Sequence, residues 1–222
     1  MAAEAAFRFR RFTGVTATIT AVDIDDDVFM RTLDIGARCQ RHQTIFFFDA
    51  DWWLLRSMSI VPFLDQKAIH GVVDPGVDQH TEFPYHDCKK FGIDPEKYLN
   101  TGFLVINHRH TEVFKRARQI MTNEKFMQGS HDFGEQSAVN YAIHQLRVPV
   151  RVLDHTFNYF PMFIALQGEG RQTILDSPQA VHAAGYGRVC NAETGEFIKF
   201  EPDWKLEALR YYSYKFGDAP KV

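Results

Sequence analysis

Residues 44–55 read TIFFFDADWWLL. Thr44–Phe48 is a short continuous apolar run, the pattern of a strand buried on both faces. It stops at Asp49-Ala50-Asp51, so two carboxylates, two positions apart, project from the strand's carboxyl end. In open α/β sheets that edge is where ligands bind. Two close carboxylates repel each other, and a hard divalent cation relieves the repulsion. A solvated acidic turn is the plain alternative, and one such triplet does not choose between them.

Working outward, the flanking segments alternate in type. Val15–Ile24 (VTATITAVDI) is dominated by β-branched residues and predicts a strand. Asp25, Asp26 and Asp27 precede Val28–Cys39, whose apolar residues and late arginine fit a helix with its dipole complemented. Downstream, Ile69–Val73 predicts a strand, followed by an irregular loop up to Pro95. Phe103–Ile106 predicts a buried strand entered through Asn100-Thr101-Gly102. Thr111–Met121, with Thr111 as N-cap, and Gly134–Leu146 predict helices. Val148–Leu153 and Ala180–His182 predict strands, and Trp204–Tyr214 a short amphipathic helix. Alternating strands and helices indicate an α/β fold. No linker interrupts them, so one domain over residues 1–222 is expected.

Composition narrows the function classes. The chain has 222 residues, 45% hydrophobic and 24% charged, which suits a globular protein and not a disordered tail. A net charge of −3 argues against a nucleic-acid partner. Cys39, Cys88 and Cys190 are odd in number, widely spaced and form no CxxC, which argues against a disulfide framework and a structural zinc site and points to a reducing, cytoplasmic compartment. No apolar run is long enough to span a bilayer, and MAAEAAFRFRRF lacks the apolar centre of a secretory signal. The 20 phenylalanines predict an aromatic core or a ring-stacking cleft. FRFRRF, residues 7–12, alternates aromatic and basic side chains and reads as a half-exposed strand. Together with the looser pattern of residues 204–216 it also offers a surface for peripheral contact with an anionic membrane.

Seven blocks, in order over roughly residues 28–190, resemble the GT-A glycosyltransferases of glycosyltransferase family 8, the group of glycogenin and the lipopolysaccharide galactosyltransferases. FMRTLDIGARC is similar to the family's helix with a basic donor contact, here Arg31, and FFFDADWWLL to its DxD strand, here Asp49 and Asp51. AIHGVVD resembles the strand ending in an acid that meets the donor sugar, here Asp74. YLNTGFLVIN resembles the Asn-[Ser/Ala/Thr]-Gly strand, which puts Asn100 and Gly102 at the donor. GEQSAVNYAI resembles the acid-Gln block, with Glu135 and Gln136. LDHTFNY is similar to Leu-Pro-x-x-x-Asn-Tyr, with Asp in place of Pro. HAAGYGR is similar to His-Phe-x-Gly-x-x-Lys, with His182 as third metal ligand, Gly185 and Gly187 at the diphosphate, and Arg188 for the lysine.

The resemblance implies a GT-A-like mixed sheet flanked by helices. It also implies a metal-dependent, retaining transfer of a hexose from a UDP-sugar to a glycan, lipid or protein acceptor. The cofactor is expected to be Mn2+ or Mg2+, held by Asp49, Asp51 and His182. Gln136 would lie at the reacting face of the sugar, with Glu135 and Asp74 on its hydroxyls. Relative to the family the segment before the DxD strand is short, so a trimmed N-terminal part is expected and the base-binding residues are the least defined. Oligomeric state has no signal.

Other readings of the same residues stand beside this one. Asn100 can cap a turn, His182 can be a satisfied core histidine, Asp74-Pro75-Gly76 is a good turn, and Glu135 can merely complement a helix dipole. His131-Asp132 hints at a metal, and His108 and His110 flank a strand exit. A non-catalytic sugar-nucleotide-binding protein of the same fold is one alternative. A haloacid-dehalogenase-like phosphatase also places DxD after a strand, but it wants Thr or Val where Trp53 stands, and Asp132 and Glu135 replace its acidic pair poorly.

Overall fold

The structure, a computed structural model, describes residues 1–15, 28–41, 43–64, 66–74, 82–123, 134–160, 178–183, 188–190, 197–199 and 204–217. In chain order the helices and strands are α1 (Ala2–Thr13), α2 (Val28–Ala37), β1 (Thr44–Phe48), β2 (Trp52–Leu54), β3 (Ile69–Val73), α3 (Glu82–Phe91) and β4 (Leu99–Asn107). They continue as α4 (Thr111–Met121), α5 (Gly134–Leu146), β5 (Val150–Val152), β6 (Ala180–His182), β7 (Arg188–Cys190), β8 (Phe197–Lys199) and α6 (Trp204–Phe216). Contacts gather these into two compact units. One comprises Met1–Ile19, Asp49–Ile60 and Asp154–Val222; the other comprises Thr20–Phe48 and Val61–Leu153.

The second of these holds a mixed four-stranded sheet in the order β1-β4-β3-β5. β4 runs antiparallel to both β1 and β3, while β5 is parallel to β3. The apolar faces of α2, α4 and α5 share one core with the sheet, built on Leu33, Leu104, Ile106, Phe114, Ala138 and Val139. α4 illustrates why these residues form a helix: Val113, Phe114, Ala117 and Ile120 recur at helical spacing and are all buried. Gly36 lets α2 approach α4 closely, because a Cβ there would lie 2.3 Å from the ring of Phe114. Phe47 of β1 stacks on that same ring at 5.8 Å between centroids.

The first unit holds α1, the antiparallel pair β2-β6, the antiparallel pair β7-β8, and α6. α1 packs beside β2, and the Arg8 guanidinium sits 4.6 Å over the ring of Trp53. No described helix is long and apolar enough to cross a membrane.

Several expectations from the sequence need correcting. FRFRRF is helical, not a strand: Ala and Arg favour helix, and the buried Ala5, Phe9 and Phe12 follow its period. That helix ends at Gly14, whose φ of 76° suits the left-handed cap. β1 is half-buried throughout, because it is an edge strand of the described sheet. The buried strands of that sheet are the two interior ones, β3 along its whole length and β4 along nearly all of it, and Asn100-Thr101-Gly102 lie within β4 and do not lead into it. The expected loop before Pro95 contains α3; its Pro84 is tolerated in the first turn, where a backbone N–H has no helical acceptor. Thr111 begins α4 and its hydroxyl donates to the His108 carbonyl, so it is not a side-chain cap. Of the strand expected over Val15–Ile24, all but Val15 lies outside the described residues, as do Asp25–Asp27.

Candidate functional site

Asp49 directly follows β1, and its carbonyl accepts the Trp52 N–H at 3.0 Å, which turns the chain into β2. β2 pairs with β6 in a register that sets Trp52 opposite His182. The Asp51 carbonyl accepts the Ala183 N–H at 3.0 Å. This backbone pairing brings together three side chains far apart in sequence. His182 Nε2 lies 3.3 Å from Asp51 Oδ1 and 3.4 Å from Asp49 Oδ2. One ligand atom from each residue falls within 4.8 Å of the others. His182 is buried, Asp51 nearly so, and Asp49 is open to solvent.

The imidazole is fixed from behind. Its Nδ1 lies 3.1 Å from Asn158 Oδ1, an atom that only accepts, so Nδ1 carries the proton and Nε2 is directed at the carboxylates. Asn158 is itself buried on a short 3-10 turn, His155–Asn158, which is capped by the Asp154 carboxylate accepting the Thr156 N–H at 2.8 Å. Trp52 Nε1 pins the same turn by donating to the Phe157 carbonyl at 3.0 Å. The Phe160 ring packs 4.8 Å from the imidazole.

Burial works against charge on His182, but its hydrogen bonds to Asp49 and Asp51, and their charges, outweigh that and raise it to about 9. For Asp51 burial likewise favours the neutral form. His182 and then Lys205 outweigh it, holding the carboxyl at about 2. Lys205 Nζ donates to Asp51 Oδ2 at 2.5 Å. One nitrogen and two carboxylate donors, with the second imidazole nitrogen held by an amide oxygen, fit a divalent cation.

The other unit carries a separate polar network. Asp74 follows β3, Asn100 and Thr101 lie in β4, and Gln136 is in the first turn of α5. Asp74 Oδ2 accepts from Asn100 Nδ2 at 2.9 Å and from Gln136 Nε2 at 3.0 Å. Gln136 Oε1 accepts from Asn100 Nδ2 and from the Thr101 N–H, both at 3.1 Å. The Gly102 N–H donates to Asn100 Oδ1 at 2.9 Å. Asp74, Asn100 and Gln136 are all buried, so both ends of the Gln136 carboxamide are committed in a site largely shielded from water.

The structure therefore groups Asp49, Asp51 and His182 in one unit, and Asp74, Asn100, Gly102 and Gln136 in the other. Glu135 adjoins Gln136 at the start of α5 and is half-buried. Arg31 is on α2 and Arg188 opens β7. Only the backbone is described at those two positions. Gly185, Gly187, His131 and Asp132 lie outside the described residues. His110 is a satisfied core histidine, accepting the Asn107 N–H at 3.0 Å and facing the Lys67 carbonyl at 3.1 Å.

Three residues were missed as individuals. Asn158 belongs to the LDHTFNY block but had no role there. Lys205 had at most one signal, a cation placed in the first turn of a helix, where the dipole disfavours it. Asn140 clamps β4, accepting the Leu99 N–H at 2.7 Å and donating to the Leu99 carbonyl at 2.8 Å.

No family model and no curated protein matches the chain. Solved structures do. The galactosyltransferase LgtC in complex with donor and acceptor sugar analogs is similar with a TM-score of 0.54 at 17% identity, over 96% of this chain and 74% of that one. An LgtC variant with an active-site glutamine changed to glutamate gives 0.54 at 16% identity, over 97% and 75%. The bifunctional glycosyltransferase WbbM gives 0.55 at 16% identity over 77% of this chain, which spans only 32% of WbbM. The chain has the mixed α/β GT-A-like fold of these structures.

Proposed function

We propose that the protein is a metal-dependent, retaining glycosyltransferase that moves a hexose from a nucleotide sugar, with a UDP-sugar as the donor to test first. The observation that carries this reading is the Asp49–Asp51–His182 group, with Nε2 at 3.3 and 3.4 Å from the two carboxylates, in a chain of GT-A-like fold. A divalent ion there would act as a Lewis acid on the diphosphate leaving group. Asp49, Asp51 and His182 would hold it, with Asn158 fixing the imidazole tautomer. Arg188 would add a permanent, fork-shaped cation for phosphate oxygens, with Arg31 as a further donor contact. The backbone at Gly185 would admit the diphosphate closely.

The Asp74–Asn100–Gln136 network supports a donor-sugar role. Both ends of Gln136 are already hydrogen-bonded, and a carboxamide is a poor nucleophile. We therefore favour a front-face route. In it the glycosidic bond breaks with its electron pair going to the diphosphate, Gln136 stabilises an oxocarbenium-like state, and the acceptor hydroxyl adds on the same face and gives its proton to the departing diphosphate oxygen. Glu135 and Asp74 would orient sugar hydroxyls, and Asn100 and Gly102 would shape the pocket. The LgtC variant altered at an active-site glutamine accords with a working glutamine in this fold. The phosphatase alternative gains no support from a GT-A-like fold.

The test is thermal melting with UDP, with Mn2+ and with both. A ligand at 100 times its dissociation constant adds about 2.7 kcal/mol. A joint shift exceeding the sum of the separate ones, and lost in Asp51→Ala, is expected. Hydrolysis or transfer of a UDP-sugar then separates an enzyme from a binding protein. No shift with UDP or any other nucleoside diphosphate would overturn the proposal.

A further inference from the structure

The two oxygens of Asp51 are divided between two partners. Oδ1 faces His182 Nε2 at 3.3 Å, on the side where Asp49 also converges. Oδ2 accepts a hydrogen bond from Lys205 Nζ at 2.5 Å. Lys205 is the second residue of α6, where a positive charge meets the positive end of the helix dipole, so the helix itself gives it no reason to be there. One turn on, Leu209 is fully buried, and α6 packs beside β6, which carries His182. The ammonium is thus held in place by the packing of its helix, with its side chain 24% exposed.

We propose that Lys205 is a positioning residue that makes Asp51 a one-oxygen ligand and so sets which divalent ion the site prefers. The proposal rests on the metal-site reading above. Mg2+ and ions of similar demand accept single carboxylate oxygens in a compact octahedron. Ca2+ takes six to eight oxygens and commonly gains them by binding a carboxylate through both. With Oδ2 occupied by an ammonium, Asp51 offers only Oδ1, and the site disfavours Ca2+. The amine also places a positive charge near the ion, but that repulsion acts on all divalent ions alike. It therefore cancels when affinities for two ions are compared.

The test is Mn2+ binding to the full chain without nucleotide, followed by electron paramagnetic resonance, with Ca2+ as competitor. In the wild type Ca2+ should displace Mn2+ poorly. In Lys205→Met and Lys205→Ala the preference for Mn2+ over Ca2+ should fall on the order of tenfold, whereas Lys205→Arg should keep it. Agreement of the Met and Ala variants separates the effect from local packing. A loss of fold, followed by melting, would lower both affinities without changing their ratio. An unchanged ratio in variants that melt as the wild type does, with Mn2+ still lost in Asp51→Asn, overturns the role of Lys205 alone. Mn2+ binding that is absent, or indifferent to Asp51→Asn, overturns the metal site and this role with it.

Discussion

His182 Nδ1 lies 3.1 Å from Asn158 Oδ1, and Asn158 is completely buried. The amide oxygen thus dictates which imidazole nitrogen faces the two carboxylates. Removing such an outer partner typically weakens metal binding 10- to 100-fold. Asn158→Ala is expected to reduce Mn2+ affinity by about that factor, read by calorimetric titration. Asn158→Asp, which keeps an acceptor at the same place, should retain most of it. Equal affinity in Asn158→Ala and wild type would remove the orienting role.

Gln136→Glu tests the second network. Its Nε2 donates to Asp74 Oδ2 at 3.0 Å, so the substitution sets a carboxylate against a carboxylate in a buried site. The new carboxyl will hold its proton more tightly in the folded chain than in the unfolded one. Stability should then be near that of the wild type at pH 4 and fall as pH rises above the ordinary carboxyl range. A deficit of about 1–3 kcal/mol at pH 8 is expected from urea unfolding. A deficit equal at both pH values would contradict the geometry.

His70, on β3, gives a pH dependence of its own. Its ring is buried, neither nitrogen has a hydrogen-bond partner among the described residues, and Phe63 packs edge-on at 5.4 Å. Burial first, then the charges of Arg151 and His110, lower it from 6.5 to about 4. Between these values the unfolded chain takes up a proton that the native chain refuses, so stability falls as pH drops from 6.5 to 4 and is unaffected above. The loss is on the order of 3 kcal/mol. His70→Leu should remove that part of the slope. Burial lowers His110 as well, so some slope in the same direction will remain. The check is melting temperature against pH for both proteins.

What could be read in the sequence was what local chemistry writes plainly. TIFFF followed by DAD marked a strand and a carboxylate pair, and both are there. The blocks that placed His182, Asp74, Asn100 and Gln136 named residues that the fold assembles into two sets. The failures have physical causes. Over six residues, alternating Phe and Arg suits a strand as well as a helix; only the longer set Ala5, Phe9 and Phe12 separates the periods. The half-burial of β1 depends on its being an edge, which its own composition does not encode. Lys205 and Asn140 owe their roles to partners contributed by distant segments, Asp51 and Leu99. Gly36 looks like a helix weakness until the Phe114 ring is seen against it.

The unit that carries Asp49, Asp51 and His182 is assembled from three separate stretches of chain. Gln179 reaches back across 123 residues to the Arg56 carbonyl, and β6 cannot pair with β2 until both exist. Contacts of such long range are slow to form, since closing the intervening chain costs entropy before any contact repays it. During synthesis the sheet of the other unit has all four of its strands by Val152, whereas β6 begins only at Ala180. A nascent chain with only its first 152 residues clear of the ribosome should thus hold every strand of the four-stranded sheet and still lack His182, the third member of the Asp49–Asp51–His182 group.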